Sequence, residues 1–290
     1  AAVKKVIDQL KKDGCKIESI NHKGHQLNEL PDSWYNGIVS YILKNSQLAS
    51  EIKVFKSVES TQIIAKQELV DNNKSMIILS DEQTKGRGRF NRNWASSKGK
   101  GLWMSLVLRP NVPFSMIPKF NLFVALGIRD AIQSFTNDKV EIKWPNDIYI
   151  ADKKVCGFLT EMIANYDSID AIICGIGINL NHSDSDFSDD IKQRATSIRL
   201  HSNNKINRYS FLKKLISSIE KRYSQFLTKP FTEIRNEYIE ASNIWQRQLR
   251  FTENDKQFIG EAIDIDNDGF LIVRDENNDV RRLISADIDI

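Results

Sequence analysis

Cysteine is scarce in this sequence, long apolar runs are missing, and each shortage removes a class of protein. The 290 residues contain three cysteines, Cys15, Cys156 and Cys174, far apart and with no C-x-x-C pair. An odd, scattered set builds no disulfide framework and points to a reducing cytoplasm. No apolar stretch approaches the roughly twenty residues that span a bilayer, so no membrane partner is expected. The opening AAVKKVIDQL lacks the apolar core of a signal peptide. Familiar signatures are missing too. The stretch Gly86-Arg87-Gly88-Arg89-Phe90-Asn91 lacks the third glycine of a dinucleotide fingerprint, and there is no G-x-x-x-x-G-K-[ST]. No G-x-S-x-G supports serine hydrolase chemistry. The four histidines include no H-E-x-x-H, and no Cys/His cluster has zinc spacing, so no metal site is assigned.

What is present is an ordinary globular balance, 41% hydrophobic and 27% charged, with room for one large domain and one or two small ones. Charge is unevenly spread. Residues 1–30 carry six lysines against four acids, and residues 253–290 carry eleven acids against four bases. Between them, residues 81–101 read DEQTKGRGRFNRNWASSKGKG. Six basic and two acidic side chains give this stretch +4, where the whole chain carries +3. It has no apolar periodicity, so it reads as a glycine-loosened loop, mobile until something negative holds it.

Residues 2–10 place Ala2, Val3, Val6, Ile7 and Leu10 on one helical face, with Gly14 as the stop. Two short strands follow, joined at His22-Lys23-Gly24. A basic helix followed by a hairpin is the pattern of the second half of a winged helix-turn-helix, but on these thirty residues alone an amphipathic helix and hairpin that merely pack together is the better reading. Pro31 opens a connecting helix to about Leu48. From Glu51, strands alternate with helices as far as the apolar strand AIICGIGINL, and RYSFLKKLISSIEKRYSQFL is helical. From about Arg250 short alternating strands describe a small β-barrel. Asp264-Ile-Asp266-Asn-Asp268-Gly269 imitates a calcium loop, but its flanks alternate like strands, so a hairpin turn is the better reading.

Polar residues gather at strand ends. Gln83 precedes the glycine loop, Lys143-Trp144-Pro145-Asn146-Asp147 interrupts two strands, Lys154 begins another, and Asn179 ends an apolar one. Singly, each has an ordinary explanation as a turn cap or surface charge. Together they outline an anion site with fixed positive charge, amide donors and one carboxylate. Arginine forks onto phosphate oxygens, glycine lets backbone approach, and a lysine at the reacting phosphorus offsets developing charge. The loop thus waits for phosphate and a small acid joined to it.

These motifs, with Glu59-Ser60-Thr61, Lys154-Val155-Cys156-Gly157 and Gly175-Ile176-Gly177-Ile178-Asn179, resemble in order and spacing those of the biotin protein ligases. The N-terminus is similar to that of the bifunctional ligase-repressor subgroup, closest to its staphylococcal members. The resemblance implies an α+β fold: a partial winged helix (1–30), a linker helix (31–50), a mixed-sheet ligase domain (51–248) and an SH3-like β-barrel (249–290). It implies that biotin and ATP, with Mg²⁺, form biotinyl-5′-AMP, and that biotin then passes to a lysine of a biotin carboxyl carrier protein or domain. By motif position, Ser60, Thr61, Gln62, Gln83, Gly86, Arg87, Gly88, Arg89, Lys154 and Gly157 take biotin. Arg87, Arg89, Trp94, Lys143, Asn146, Lys154 and Asn179 take ATP or the adenylate, and Lys154, Arg89 and Asp147 are the catalytic set. Asp147 is expected to help receive the acceptor lysine.

The subgroup also represses biotin-synthesis genes as an adenylate-bound homodimer on operator DNA, which here would engage Lys4, Lys5 and Lys23. Because the chain as given opens inside the recognition helix, DNA binding is expected of its full-length parent rather than of this chain. Two rivals stay open. One is a lipoate ligase, disfavoured by the Gly-Arg-Gly-Arg and K-W-P-N-D motifs. The other is a ligand-gated DNA-binding regulator without catalysis, disfavoured by the intact Arg89 and Lys154.

Overall fold

In the N-terminal region the computed structural model follows the sequence reading and then departs from it. It describes residues 2–70, 72–164, 169–253, 256–284, 286, 288 and 289. Helix α1 (Ala2–Lys12) ends where Gly14 takes φ +94°, and strands β1 (Lys16–Ile20) and β2 (Gly24–Glu29) form the expected antiparallel hairpin. Nothing in α1 is buried, and Val3 and Val6 are 69% and 58% exposed. The expected connecting helix over 31–48 shrinks to α2 (Asn36–Ile42). Its predicted first turn is spent on other partners. The Trp34 N–H donates to Asp81 Oδ1 at 3.2 Å and the Tyr35 N–H to Tyr209 Oη at 3.1 Å. At the far end Gln47 N–H donates to Glu220 Oε1 at 2.5 Å. Backbone donors committed to side chains cannot also close helical turns.

The body is a seven-stranded mixed sheet. Its spatial order is β3 (Glu51–Phe55), β4 (Met76–Ser80), β5 (Gly101–Leu108), β9 (Ile169–Asn179), β8 (Lys153–Ala164), β7 (Asp147–Ile150) and β6 (Val140–Lys143). Only β3 and β4 run parallel. Strand β4 is buried throughout because both faces are covered, which is why it reads as an unbroken apolar run. Alternation still sorts its side chains. Ile77 and Leu79 join the main core, on the side of α4 (Ile117–Gln133) and α6 (Arg208–Thr228). Met76 and Ile78 join a smaller cluster around Ala65 of α3 (Thr61–Glu68). Between β7 and β8, Ala151 and Asp152 both take positive φ, as a two-residue hairpin turn requires.

Short helices α5 (Ile198–Ser202) and α7 (Arg235–Ala241) flank α6. The chain ends in a small SH3-like antiparallel sheet of β10 (Gln248–Glu253), β11 (Lys256–Ile265), β12 (Leu271–Asp275), β13 (Val280–Leu283) and β14 (Ile288–Asp289). The segment that imitates a calcium loop is its β11–β12 turn. Asp266 Oδ1 accepts from the N–H groups of Asp268 and Phe270, and Gly269 takes φ +89°. Arg282 pairs with Asp266 and Asp268, and Arg281 with Asp275. No helix among the described residues is long and apolar enough to cross a membrane.

Candidate active site

The sheet's strand ends and the loop 81–101 enclose a cleft of about 370 Å³. Loop 81–101 is folded on itself. Gln83 N–H donates to Ser96 O at 3.2 Å, Trp94 N–H to Gly86 O at 2.9 Å and Gly88 N–H to Arg92 O at 2.8 Å. Arg89–Asn91 make one 3₁₀ turn, with Phe90 and Asn91 at positive φ. Gly86 is packed inside the loop, against Trp94 and Ser96, and does not line the cleft. A Cβ there would stand 2.5 Å from Trp94 O and 2.7 Å from Ser96 Oγ.

One end of the cleft is lined by hydroxyls and amides, with the Glu161 carboxylate outside the lining as a charged acceptor. Ser60 caps α3, its Oγ accepting from Gln62 N–H at 3.3 Å. Gln83 Oε1 accepts from Thr61 N–H at 2.9 Å, and Gln83 Nε2 donates to Ser96 Oγ at 3.0 Å. Thr61 Oγ1 meets Ser105 Oγ at 2.8 Å. Gln62 Nε2 donates to Leu159 O and to Glu161 Oε2. Ser60, Thr61 and Gln62 are all buried, so this end is preorganised rather than solvated.

The middle is built on glycine. Trp94 lies flat on β9, where a Cβ on Gly177 would come within 2.5 Å of its Nε1. Gly157 of β8 leaves equivalent room for Trp94 and Lys154. Lys154 Nζ sits 5.3 Å from the Trp94 ring centre and 2.7 Å from Asp147 Oδ1, an ion pair without hydrogen-bond alignment.

The far end is cationic and amide-rich. Arg89 Nη1 donates to Asn146 Oδ1 at 3.0 Å, and Asn146 Nδ2 donates to Phe158 O at 2.7 Å. Arg89 Nη2 reaches the C-terminal sheet region, donating to Ala286 O at 3.2 Å. Arg87 Nη1 donates to Asn91 Oδ1, and Lys143 Nζ lies over the Tyr149 ring. Buried Asn179 donates from Nδ2 to Thr196 O at 3.0 Å. Hydroxyls and amides, then a lysine, then arginines suit an acid activated against a phosphate, the acid group meeting phosphorus near Lys154.

Of the residues singled out in the sequence, Gly86 and the three N-terminal lysines are the ones that do not line this cleft. Lys4 and Lys5 on α1 and Lys23 in the hairpin turn are exposed. Sequence reasoning missed Ser105, whose polarity inside the apolar GLWMSLVL was a usable signal. It also missed His182 and Phe187, stacked at 5.2 Å in the cleft wall. Burial pushes the His182 imidazole down to about 4. Asp186 is held well below the carboxylate range by bonds from the Ser183 hydroxyl and N–H, with Lys100 adding to the effect. Burial pushes the Cys174 thiol up to about 12 and raises Cys156 too, so neither supplies a thiolate nucleophile.

Comparison with known proteins agrees with this geometry. Residues 54–179 match the Biotin/lipoate A/B protein ligase family, and residues 247–290 match the Biotin protein ligase C terminal domain. The Bifunctional ligase/repressor BirA of Bacillus subtilis (strain 168) is 35% identical, over 100% of this chain and 89% of its own length. That of Escherichia coli (strain K12) is 23% identical, over 95% of this chain and 84% of its own length. A solved structure of the biotin protein ligase from Aquifex aeolicus in complex with biotin and ATP superposes with a TM-score of 0.71. It is 26% identical, with 83% of this chain and 99% of that one covered. The chain belongs to the biotin protein ligase family, whose members are enzymes.

Proposed function

We propose that biotin binds at the Ser60–Gln83 end and ATP at the Arg89–Asn179 end, and that the chain joins them before transferring biotin to a carrier. In the first step a biotin carboxylate oxygen attacks the α-phosphorus, and the bond to pyrophosphate breaks. In the second, the amine of a carrier lysine attacks the acyl carbon of biotinyl-5′-AMP, a C–N bond forms and AMP leaves. The observation that carries this reading is the place of Lys154, between the neutral hydrogen-bonding end and the cationic end. There its ammonium offsets charge in both transition states. Asp147 beside it orients the incoming amine, which must lose its proton to attack. Trp94 walls the adenylate, and Gly88 and Arg87 lie along it.

Mg²⁺ would arrive on the triphosphate, where it neutralises phosphate charge. Among the described residues no three His, Cys, Asp or Glu side chains converge to hold a metal, which suits a cation bound chiefly through phosphates and water. The division into units at 1–30, 31–50, 51–248 and 249–290 belongs to this proposal. So does a regulatory role in the cytoplasm. The printed names of the Bacillus relatives, bifunctional ligase/repressors, support the repressor part of this reading, in which the exposed α1 and hairpin, with Lys4, Lys5 and Lys23, face operator DNA. A ligand-promoted homodimer belongs to the same proposal.

The test is ATP–pyrophosphate exchange with biotin, with lipoate and with no acid. Exchange that depends on biotin alone is expected. Equal exchange with lipoate would shift the reading to a lipoate ligase, and none with either acid in folded protein would end it.

A further inference from the structure

Asp138, His201 and Thr196 form a hydrogen-bonded row that the reaction above does not use. His201 Nδ1 lies 2.6 Å from Asp138 Oδ2, and His201 Nε2 lies 2.8 Å from Thr196 Oγ1. A carboxylate only accepts, so Nδ1 carries its hydrogen towards Asp138. In the neutral ring Nε2 is then left to accept from the Thr196 hydroxyl. Carboxylate, imidazole and hydroxyl in that order are the parts of a nucleophilic triad. Here the hydroxyl is no nucleophile. Thr196 is 2% exposed and stands outside the cleft lining, which its neighbours Arg194 and Ala195 join.

The row acts on backbone instead. Lys154 N–H donates to Arg194 O at 2.8 Å, and Thr196 N–H donates to Lys154 O at 2.9 Å. Thr196 O accepts the Asn179 side-chain amide at 3.0 Å. Two residues of the cleft, Lys154 and Asn179, therefore both hang on the segment 194–196. One of its ties to the body is the Thr196 side chain, and just after it the Ser197 hydroxyl donates to His182 O at 2.6 Å. The turn that carries Asp138 is itself braced. Gln133 Nε2 donates to Thr136 O and Asp138 O, while Thr136 Oγ1 accepts from Asp138 N–H and donates to His201 O. A ring gripped at both nitrogens, with its carbonyl held by the same turn, is placed with little freedom.

We propose that His201, oriented by Asp138 and acting through Thr196, is a positioning residue that sets where Lys154 and Asn179 stand in the cleft. The proposal rests on the ligase reading for its kinetic consequence, but its mechanical content can be tested without that reading. Thr196→Val removes the hydroxyl and keeps the backbone bonds, His201→Ala removes the ring, and Asp138→Asn changes a half-exposed surface group.

In biotin-dependent ATP–pyrophosphate exchange, Thr196→Val and His201→Ala should each lower kcat about ten- to a hundredfold. KM for biotin should hold, because Thr61 and Gln83 lie at the other end of the cleft. The double variant should be no slower than the worse single one. Asp138→Asn should move the same parameter by less. Hydrogen exchange on the unliganded protein reads the link directly. The amides of Lys154 and Thr196 should exchange faster in all three variants while β4 and β5 keep their protection.

Wild-type kcat with unchanged amide protection in Thr196→Val and Asp138→Asn would overturn the proposal. Additive losses, or a parallel rise in KM for biotin, would overturn it as well. A wild-type protein with no exchange activity would count against the ligase reading instead, and the amide measurement alone would then decide this one.

Discussion

Arg208 and Asp81 form an ion pair of 2.8 Å in which both side chains are at most 2% exposed. Asp81 opens the glycine loop, and Gly101, which closes it, accepts from Arg208 Nε at 3.2 Å. Asp81 also holds the Trp34 N–H, and Arg208 also donates to Asp32 O and stacks over the Trp34 ring. One buried pair thus fastens both ends of the glycine loop to the segment around Asp32 and Trp34. Burial lowers the Arg208 pKa from its ordinary value, with Asp81 opposing that effect. Asp81→Ala leaves the guanidinium buried and unpaired, and should cost about 3–5 kcal/mol in urea unfolding. Breaking the exposed Lys205–Asp32 pair should barely move the midpoint. Equal effects from the two would contradict the assignment.

Lys154→Ala should slow biotin-dependent pyrophosphate exchange by about a hundred- to a thousandfold, the usual cost of losing one preorganised charge at a transition state. Its melting temperature should stay near that of the wild type, since the Lys154 side chain is partly exposed and sits at the cleft wall. Normal turnover in the folded variant would remove Lys154 from the mechanism.

Gly177→Ala tests the wall formed by Trp94. A Cβ there comes within 2.5 Å of Trp94 Nε1, so the indole must leave its place against β9. Overpacking of this kind costs about 1–3 kcal/mol, which should raise KM for ATP about ten- to a hundredfold. Steady-state kinetics with KM for ATP unchanged would show that the nucleotide does not rest on that ring.

His182 gives a pH dependence of known sign. Burial lowers its pKa from 6.5 to about 4, so between those values the unfolded chain binds a proton that the folded chain refuses. Its contribution is complete above pH 6.5 and is lost as pH falls towards 4, amounting to about 3 kcal/mol. Asp186, also depressed, acts in a separate window that begins near its ordinary 3.8 and runs downward. Urea midpoints at pH 7.5 and 4.5 should therefore diverge in the wild type. In His182→Phe, which keeps an aromatic ring against Phe187, the difference should shrink.

Much of the site was legible because its chemistry is local. Gly86 to Arg89 and Lys143 to Asp147 are short runs whose residue types carry their meaning wherever they are placed. The cleft gathers nearly all of them. The strands were legible for a similar reason, since covered faces impose apolar runs such as Met76–Leu79. The linker misled for the opposite reason. Pro31–Leu48 has helical composition, but Trp34 and Tyr35 spend their N–H groups on Asp81 and Tyr209, 47 and 174 positions away.

The sequence by itself determined the charge, the glycine loop, the motif order and the alternation that builds each strand. These follow from side-chain chemistry and from periods of two and 3.6 residues. Tertiary structure alone decided which distant residues meet. Arg89 reaches Ala286, Thr61 meets Ser105, and Asp138 grips His201, in pairs separated by 197, 44 and 63 positions. Such pairs depend on strand register and helix packing, which sum many weak contacts across the whole chain. No short stretch of sequence contains that sum.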